Sequence, residues 1–167
     1  MKRFRRVSIA LTGYLMCWLA AAMAAGQSAI KPSSPAVVAP PAWSRVMNMP
    51  DGRTFVTDGG LSVDVTFAKP ATLPSVVIPP ESAKILAGRM TAPYDHEIRL
   101  GQLTTGSFKN AFSTPDGISL NGNYVNFLRA VMPPSARLRT RGKTDAVVVV
   151  ADGQPVAILM PLAPPAP

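Results

Sequence analysis

The chain has few of the residues that most often carry covalent or metal chemistry. Its 167 residues include one cysteine, Cys17, and one histidine, His96. Cys17 lies in an N-terminal segment with the pattern of a signal peptide, so the mature chain would have no thiol for a disulfide, a metal or a nucleophile. A lone imidazole falls short of the ligand set of a zinc site. We interpret His96, between Asp95 and Glu97, as part of a surface cluster.

Motifs typical of nucleotide-binding and hydrolytic enzymes are absent as well. The sequence has no complete Gly-x-x-x-x-Gly-Lys-Ser/Thr phosphate loop, no Gly-x-Ser-x-Gly nucleophile motif and no dinucleotide-binding glycine pattern. Asp58 follows Thr57, but turn chemistry accounts for it without catalysis. We therefore predict a protein that is not an enzyme and that uses no cofactor or metal.

Acidic residues are also scarce, with 9 Asp and Glu against 17 Lys and Arg. Four cations open the chain, an uncharged run spans 7–25, and small residues at Ala22 and Ala24 flank Met23. This pattern predicts a signal peptide over 1–24, with export to the periplasm or secretion. An uncleaved membrane anchor is the alternative, because the run is nearly long enough to span a bilayer. Removing this segment leaves 13 basic against 9 acidic residues, a net charge of +4.

Proline-rich segments flank the rest of the chain. Residues 25–42 are rich in Pro, Ala and Ser, which predicts an extended tether, and 163–167 form a proline-rich tail. The intervening residues, 43–162, are enough for one domain with its own core.

Strand patterns dominate this domain. Residues 53–57 and 61–67 flank Asp58-Gly59-Gly60, which predicts a hairpin, and apolar residues alternate along the second strand. The apolar runs 146–151 and 156–160 predict strands that are covered on both faces or lie at the centre of a sheet.

Two segments have helical spacing instead, 81–90 and 123–131, each with an apolar stripe and with cations outside it. A strand at 76–79 precedes the first helix. Further strands are predicted near 97–100, 107–112, 116–120 and 137–139. The order of elements predicts two β-α-β-β-β units in an α+β domain, with both short helices on one face of the sheets.

Four segments carry a family resemblance. They read Phe55-Val-Thr-Asp-Gly-Gly-Leu-Ser-Val, Leu73-Pro-Ser-Val-Val-Ile-Pro-Pro, Ile118-Ser-Leu-Asn-Gly-Asn-Tyr-Val-Asn-Phe-Leu-Arg-Ala and Val156-Ala-Ile-Leu-Met-Pro-Leu. In this order they resemble a hairpin, a domain-opening strand, a helix and the closing strand of the bacterial DNA sliding clamp, the beta subunit of DNA polymerase III. The resemblance covers about 43–162, roughly one clamp domain with a preceding hairpin.

The resemblance implies a non-enzymatic scaffold in DNA replication that encircles duplex DNA and binds partner peptides. Clamp helices contact phosphates without reading sequence, which implies that Lys84, Arg89 and Arg129 face DNA. A ring is built from six such domains, so a homo-oligomer is implied. The implied partner-peptide pocket contains Thr57, Asp58, Gly59, Leu61, Ile158, Met160, Pro161 and Leu162.

A second interpretation follows from the N-terminus. A clamp acts in the cytoplasm, whereas the signal pattern predicts an exported binding or assembly protein with an envelope protein as partner. The basic cluster Arg137, Arg139, Arg141 and Lys143 also has two interpretations. It is either a strand edge protected by charge or a patch that contacts phosphates.

Overall fold

A computed structural model of the chain describes residues 38–106 and 110–163. The chain from Val38 onward groups into one compact unit. The predicted signal peptide, the tether as far as residue 37 and the last four residues lie outside the described residues.

The helices are α1 (Val65–Ala68), α2 (Pro80–Thr91) and α3 (Gly122–Val131), with a short 3-10 helix at Leu100–Gln102. The strands are β1 (Arg45–Asn48), β2 (Thr54–Thr57), β3 (Leu61–Asp64), β4 (His96–Arg99), β5 (Thr104–Thr105), β6 (Ala111–Ser113), β7 (Ser119–Asn121), β8 (Arg137–Thr140), β9 (Val147–Ala151) and β10 (Gln154–Leu159).

The strands form two antiparallel sheets. The larger has the order β1-β2-β3-β10-β9-β8-β4, and the smaller has the order β5-β6-β7. The predicted α+β class is confirmed. The two predicted units differ in space, however: β8, β9 and β10 are neighbours in the large sheet, whereas β4 lies at its edge and β5 to β7 form the small sheet. Within the described residues, no helix combines the length and the apolarity needed to cross a membrane.

The helices α2 and α3 lie on opposite faces of the large sheet. Along β9, Val147 and Val149 belong to the core that includes α3, whereas Val148 and Val150 belong to the core that includes α2. Successive strand side chains point to opposite faces, so each helix covers one of them. The prediction that both helices cover one face is therefore wrong. A strand that is apolar on both faces needs a cover on each, and one helix layer cannot supply both.

The second strand of the hairpin is shorter than predicted. The sequence pattern predicts a strand over 61–67, but β3 ends at Asp64 and α1 follows at once. The Asp64 carboxylate accepts hydrogen bonds from the Thr66 backbone N–H at 2.9 Å and from its hydroxyl at 2.7 Å. This local capping competes with the sheet ladder and turns the chain into a helix.

The strand predicted at 76–79 is reduced to a single parallel bridge between Val77 and Val46. The Val46 N–H donates to the Val76 carbonyl, and the Ile78 N–H donates to the Val46 carbonyl, both at 2.8 Å. Pairing stops there because the next N–H of the ladder would belong to residue 80, which is a proline with no N–H to donate, and α2 begins at that residue. The strand β1, which contains Val46, was not predicted from the sequence.

Candidate functional site

The two halves of the predicted partner pocket adjoin in the structure. Strands β3 and β10 are paired, with Leu61 opposite Leu159. One residue beyond β10, the Met160 N–H donates to the Gly60 carbonyl at 2.8 Å. The β2–β3 hairpin and the segment after β10 therefore form one continuous surface.

Side-chain hydrogen bonds within the hairpin fix its shape. Asp58 Oδ1 accepts from the N–H groups of Gly60, at 3.0 Å, and Leu61, at 2.9 Å. The Thr57 hydroxyl donates to the Leu61 carbonyl at 2.8 Å and accepts from the Gly59 N–H at 3.0 Å. Gly59 has a φ of 101°, which favours glycine. Thr57 and Asp58 are thus accounted for by turn chemistry, as the sequence predicts.

A third element, α3, supports the hairpin through Tyr124. Its hydroxyl donates to Asp58 Oδ2 at 2.7 Å. A Cβ atom at Gly60 would lie 2.8 Å from the Tyr124 hydroxyl, so this position has no room for a larger residue without a shift of the ring. Burial, the hydrogen bond to Asp58 and the charge of that carboxylate raise the pKa of Tyr124 to about 12. Sequence reasoning assigned Tyr124 to the apolar stripe and missed this contact.

Burial separates the eight predicted pocket residues into two groups. Thr57, Leu61 and Ile158 are buried, with at most 4% of their surface exposed, so they support the surface from within. Met160 and Leu162 are 42% and 38% exposed. Together with Asp58, Gly59 and Pro161, which are at least partly exposed, they form a surface that we call the hairpin shelf.

The shelf is held at both ends. In addition to the bond from Met160 to the hairpin, the Leu162 N–H donates to the Ser119 carbonyl on β7 at 2.8 Å. The segment 160–162 therefore links the edge of the small sheet to the large sheet. Its exposed apolar side chains stand on a fixed backbone.

The three predicted DNA-facing residues do not share a surface. Lys84 and Arg89 are exposed on α2, where the Lys84 ammonium lies 3.1 Å from the carboxylate of Glu81. Arg129 lies on α3, on the other side of the large sheet. The structure therefore does not bring them to one DNA-contacting face.

Arg129 is used inside the protein. Its guanidinium donates to the carbonyls of Leu100, at 3.2 Å, Gly101, at 3.4 Å, and Leu103, at 2.9 Å. It also lies 4.6 Å from the centroid of the Phe112 ring. These contacts tie α3 to the 3-10 helix and to the small sheet, because a guanidinium offers several donors in one plane.

The basic cluster of β8 is partly paired. Glu97 on β4 accepts from Arg137 at 2.6 Å and from Arg139 at 2.7 Å. The hydrogen bonds from Arg139 and Arg137 hold the pKa of Glu97 below its usual value. Arg141 forms a separate ion pair with Asp145 at 3.0 Å. The edge-protection interpretation is wrong for Arg137 and Arg139, because β8 is paired with β9 on one side and with β4 on the other. Contact of the cluster with phosphates stays a prediction.

His96 lines an open cleft beside the edge strand β4, next to Asp116. The Thr140 hydroxyl donates to Asp116 at 2.8 Å. Burial opposes ionisation of Asp116, but hydrogen bonds from Thr114 and Thr140 outweigh it and lower the pKa of this carboxyl. In the part of the chain that the structure describes, no group of three or more His, Cys, Asp or Glu residues could hold a metal ion.

Comparison of the chain with protein-family models finds no match, and comparisons with curated proteins and with solved structures find none either. The case for a function therefore depends on the surfaces described above.

Proposed function

We propose that the chain is a non-enzymatic, sliding-clamp-like scaffold that binds a short apolar peptide of a partner protein on the hairpin shelf. The observation that carries this proposal is the convergence of two distant segments that resemble the clamp's partner pocket. They meet with Met160 and Leu162 exposed, where most large apolar residues of the domain are buried. Exposed apolar groups on a fixed surface favour a protein contact.

The shelf suits a peptide for two physical reasons. Its backbone is fixed by the bonds to Gly60 and Ser119, so little conformational entropy remains to be lost on binding. Methionine at position 160 is unbranched and polarizable, and it adapts to differently shaped apolar side chains.

The DNA-binding part of the proposal has narrower support. Lys84 and Arg89 remain as proposed contacts with duplex DNA, whereas the guanidinium of the half-buried Arg129 is bonded to carbonyls of the chain itself. A chain of about one clamp domain would have to form a homo-oligomer to surround a duplex.

Peptide capture provides the first test. Binding of the full chain to an array of short apolar peptides would be followed by fluorescence anisotropy on the peptides that bind. We expect Met160→Ser to weaken binding about tenfold or more, as at a contact of the size seen in interface hot spots. The unfolding temperature should stay unchanged, because Met160 is 42% exposed.

Leu73→Ser is the matched control, since Leu73 is 57% exposed and lies outside the shelf. Equal peptide affinity in Met160→Ser and Leu73→Ser would contradict the proposal, as would binding of no peptide at all.

The exported alternative has its own supporting observation, the signal pattern of 1–24. The shelf would then bind an envelope protein, and DNA would play no part. Cell fractionation with N-terminal sequencing of the native protein separates the two. A start near Ala25 outside the cytoplasm favours export, and a cytoplasmic product favours the DNA scaffold.

A further inference from the structure

Five arginines gather on the α2 side of the large sheet. Directly paired residues of an antiparallel ladder share a face. Arg137 lies opposite Val150 and Arg139 lies opposite Val148, and both valines belong to the core that includes α2. Arg99 is paired with Arg137, so it shares that face. Arg89 and Arg141 complete the group, lining one cleft together with Arg139.

Carboxylates balance only part of this charge. Glu97 pairs with Arg137 and Arg139, Asp145 pairs with Arg141, and Asp152 lines a cleft with Arg99 and Arg137. In the described part of the chain, Arg89 and Arg99 have no acidic partner within ion-pair distance. Both are exposed, and arginine forks match the geometry of phosphate oxygens.

Exposed apolar side chains border the arginines. Tyr94 is 43% exposed, with the Arg139 guanidinium 4.4 Å from its ring centroid. Ile85 is 64% exposed and lies one helical turn before Arg89 on α2. We call this combined surface of arginines and apolar residues the α2 face.

We propose that the α2 face docks on an anionic phospholipid surface. The headgroup region of a bilayer offers phosphates to the arginines and an acyl boundary to Ile85 and to the ring of Tyr94. A nucleic-acid backbone offers the phosphates but no comparable partner for exposed aliphatic side chains. This proposal assigns Arg89 to a phospholipid surface in place of the duplex DNA contact proposed above, and it does not depend on the hairpin shelf.

Vesicle sedimentation of the full chain tests the proposal. Vesicles of phosphatidylcholine alone would be compared with vesicles containing phosphatidylglycerol, at low and at high salt. We expect binding to the anionic vesicles to weaken as salt rises, because salt screens exposed charges. Arg89→Glu combined with Arg99→Glu should lower the partition coefficient about fivefold or more for each arginine lost. Ile85→Ser should lower it on the same vesicles.

The matched control is Lys69→Glu. Lys69 is exposed at the end of α1, which packs on the core that includes α3, on the opposite side of the large sheet. All variants keep residues 1–37, so any membrane affinity of that segment is common to them and cancels in the comparison. Lys69→Glu should bind like the wild type.

Three results would overturn the proposal. The first is equal binding to neutral and anionic vesicles, and the second is no difference between the arginine variants and Lys69→Glu. The third is a pair of results for the arginine variants, in which binding to a duplex DNA oligonucleotide is lost and vesicle binding stays intact. That pair would identify the α2 face as a nucleic-acid surface. Peptide capture by these same variants reports separately on the hairpin shelf.

Discussion

The helices α2 and α3 look alike in sequence, yet they occupy different environments. Each is short, has an apolar stripe and carries an arginine in its last turn. Val125, Phe127 and Leu128 of α3 are buried in the larger core. On α2, the buried residues are Ala83 and Met90. An amphipathic pattern therefore locates the apolar side of a helix without determining how much of it is covered.

The two helical arginines differ in the same way. Arg129 of α3 is bonded to three carbonyls and lies over an aromatic ring. Arg89 of α2 is exposed, and within the described residues its side chain forms no ion pair. A cation outside the apolar stripe therefore serves folding on one helix and remains available for a ligand on the other.

Truncating one apolar residue on each helix should give the largest contrast. Leu128→Ala removes a fully buried side chain and should lower the free energy of unfolding by about 2–5 kcal/mol, through lost burial and a cavity. Ile85→Ala removes a side chain that is 64% exposed and should change stability by about 0.5 kcal/mol or less. Urea denaturation measures both. Similar losses would show that the two helices are equally well covered.

Replacing the two arginines by methionine tests the second contrast. Arg129→Met leaves carbonyls of Leu100 and Leu103 without their donor, so we expect a loss of about 1–3 kcal/mol. Arg89→Met should change stability by about 0.5 kcal/mol or less, as is usual at exposed positions. The same denaturation experiment applies. A large loss for Arg89→Met would mean that α2 depends on this arginine for folding.

The smallest expected effect is a pH dependence of the folding stability, which arises where Tyr124 supports the hairpin shelf. Folding raises the pKa of Tyr124 from about 10 to about 12, so the folded state favours the neutral phenol. The resulting stability is fully present below about pH 10 and is lost as the pH rises towards about 12. Tyr124→Phe should remove this component of the pH dependence. A spectrophotometric tyrosine titration with no group titrating near pH 12 would contradict the pairing with Asp58.

The sequence was most informative where local chemistry decides the structure. The Asp58-Gly59-Gly60 turn was predicted because Asp58 bonds to the backbone ahead of it and Gly59 takes a positive φ. The two long helices were predicted within one or two residues of their ends. The predictions were wrong for 61–67 and 76–79, because capping by Asp64 and the missing N–H of Pro80 outweighed a strand-like pattern.

The candidate sites were only partly predictable. The resemblance selected the segments of the hairpin shelf, but not which of their residues are buried. It also grouped Arg129 with Lys84 and Arg89, whereas the structure separates them. The α2 face was missed because its members come from three segments of the chain, and sequence spacing carries no signal of which face of a sheet a distant helix covers.

By itself, the sequence determined the α+β class, the turn chemistry of the hairpin and the apolar side of each helix. These depend on residues within a few positions of one another, through hydrogen bonding and periodic burial. The fold, in contrast, establishes that α2 and α3 cover opposite faces, that Arg129 is bonded to carbonyls of the chain itself and that five arginines share one surface. Those outcomes depend on which strands pair across long stretches of chain, and pairing assigns each side chain its face and its neighbours.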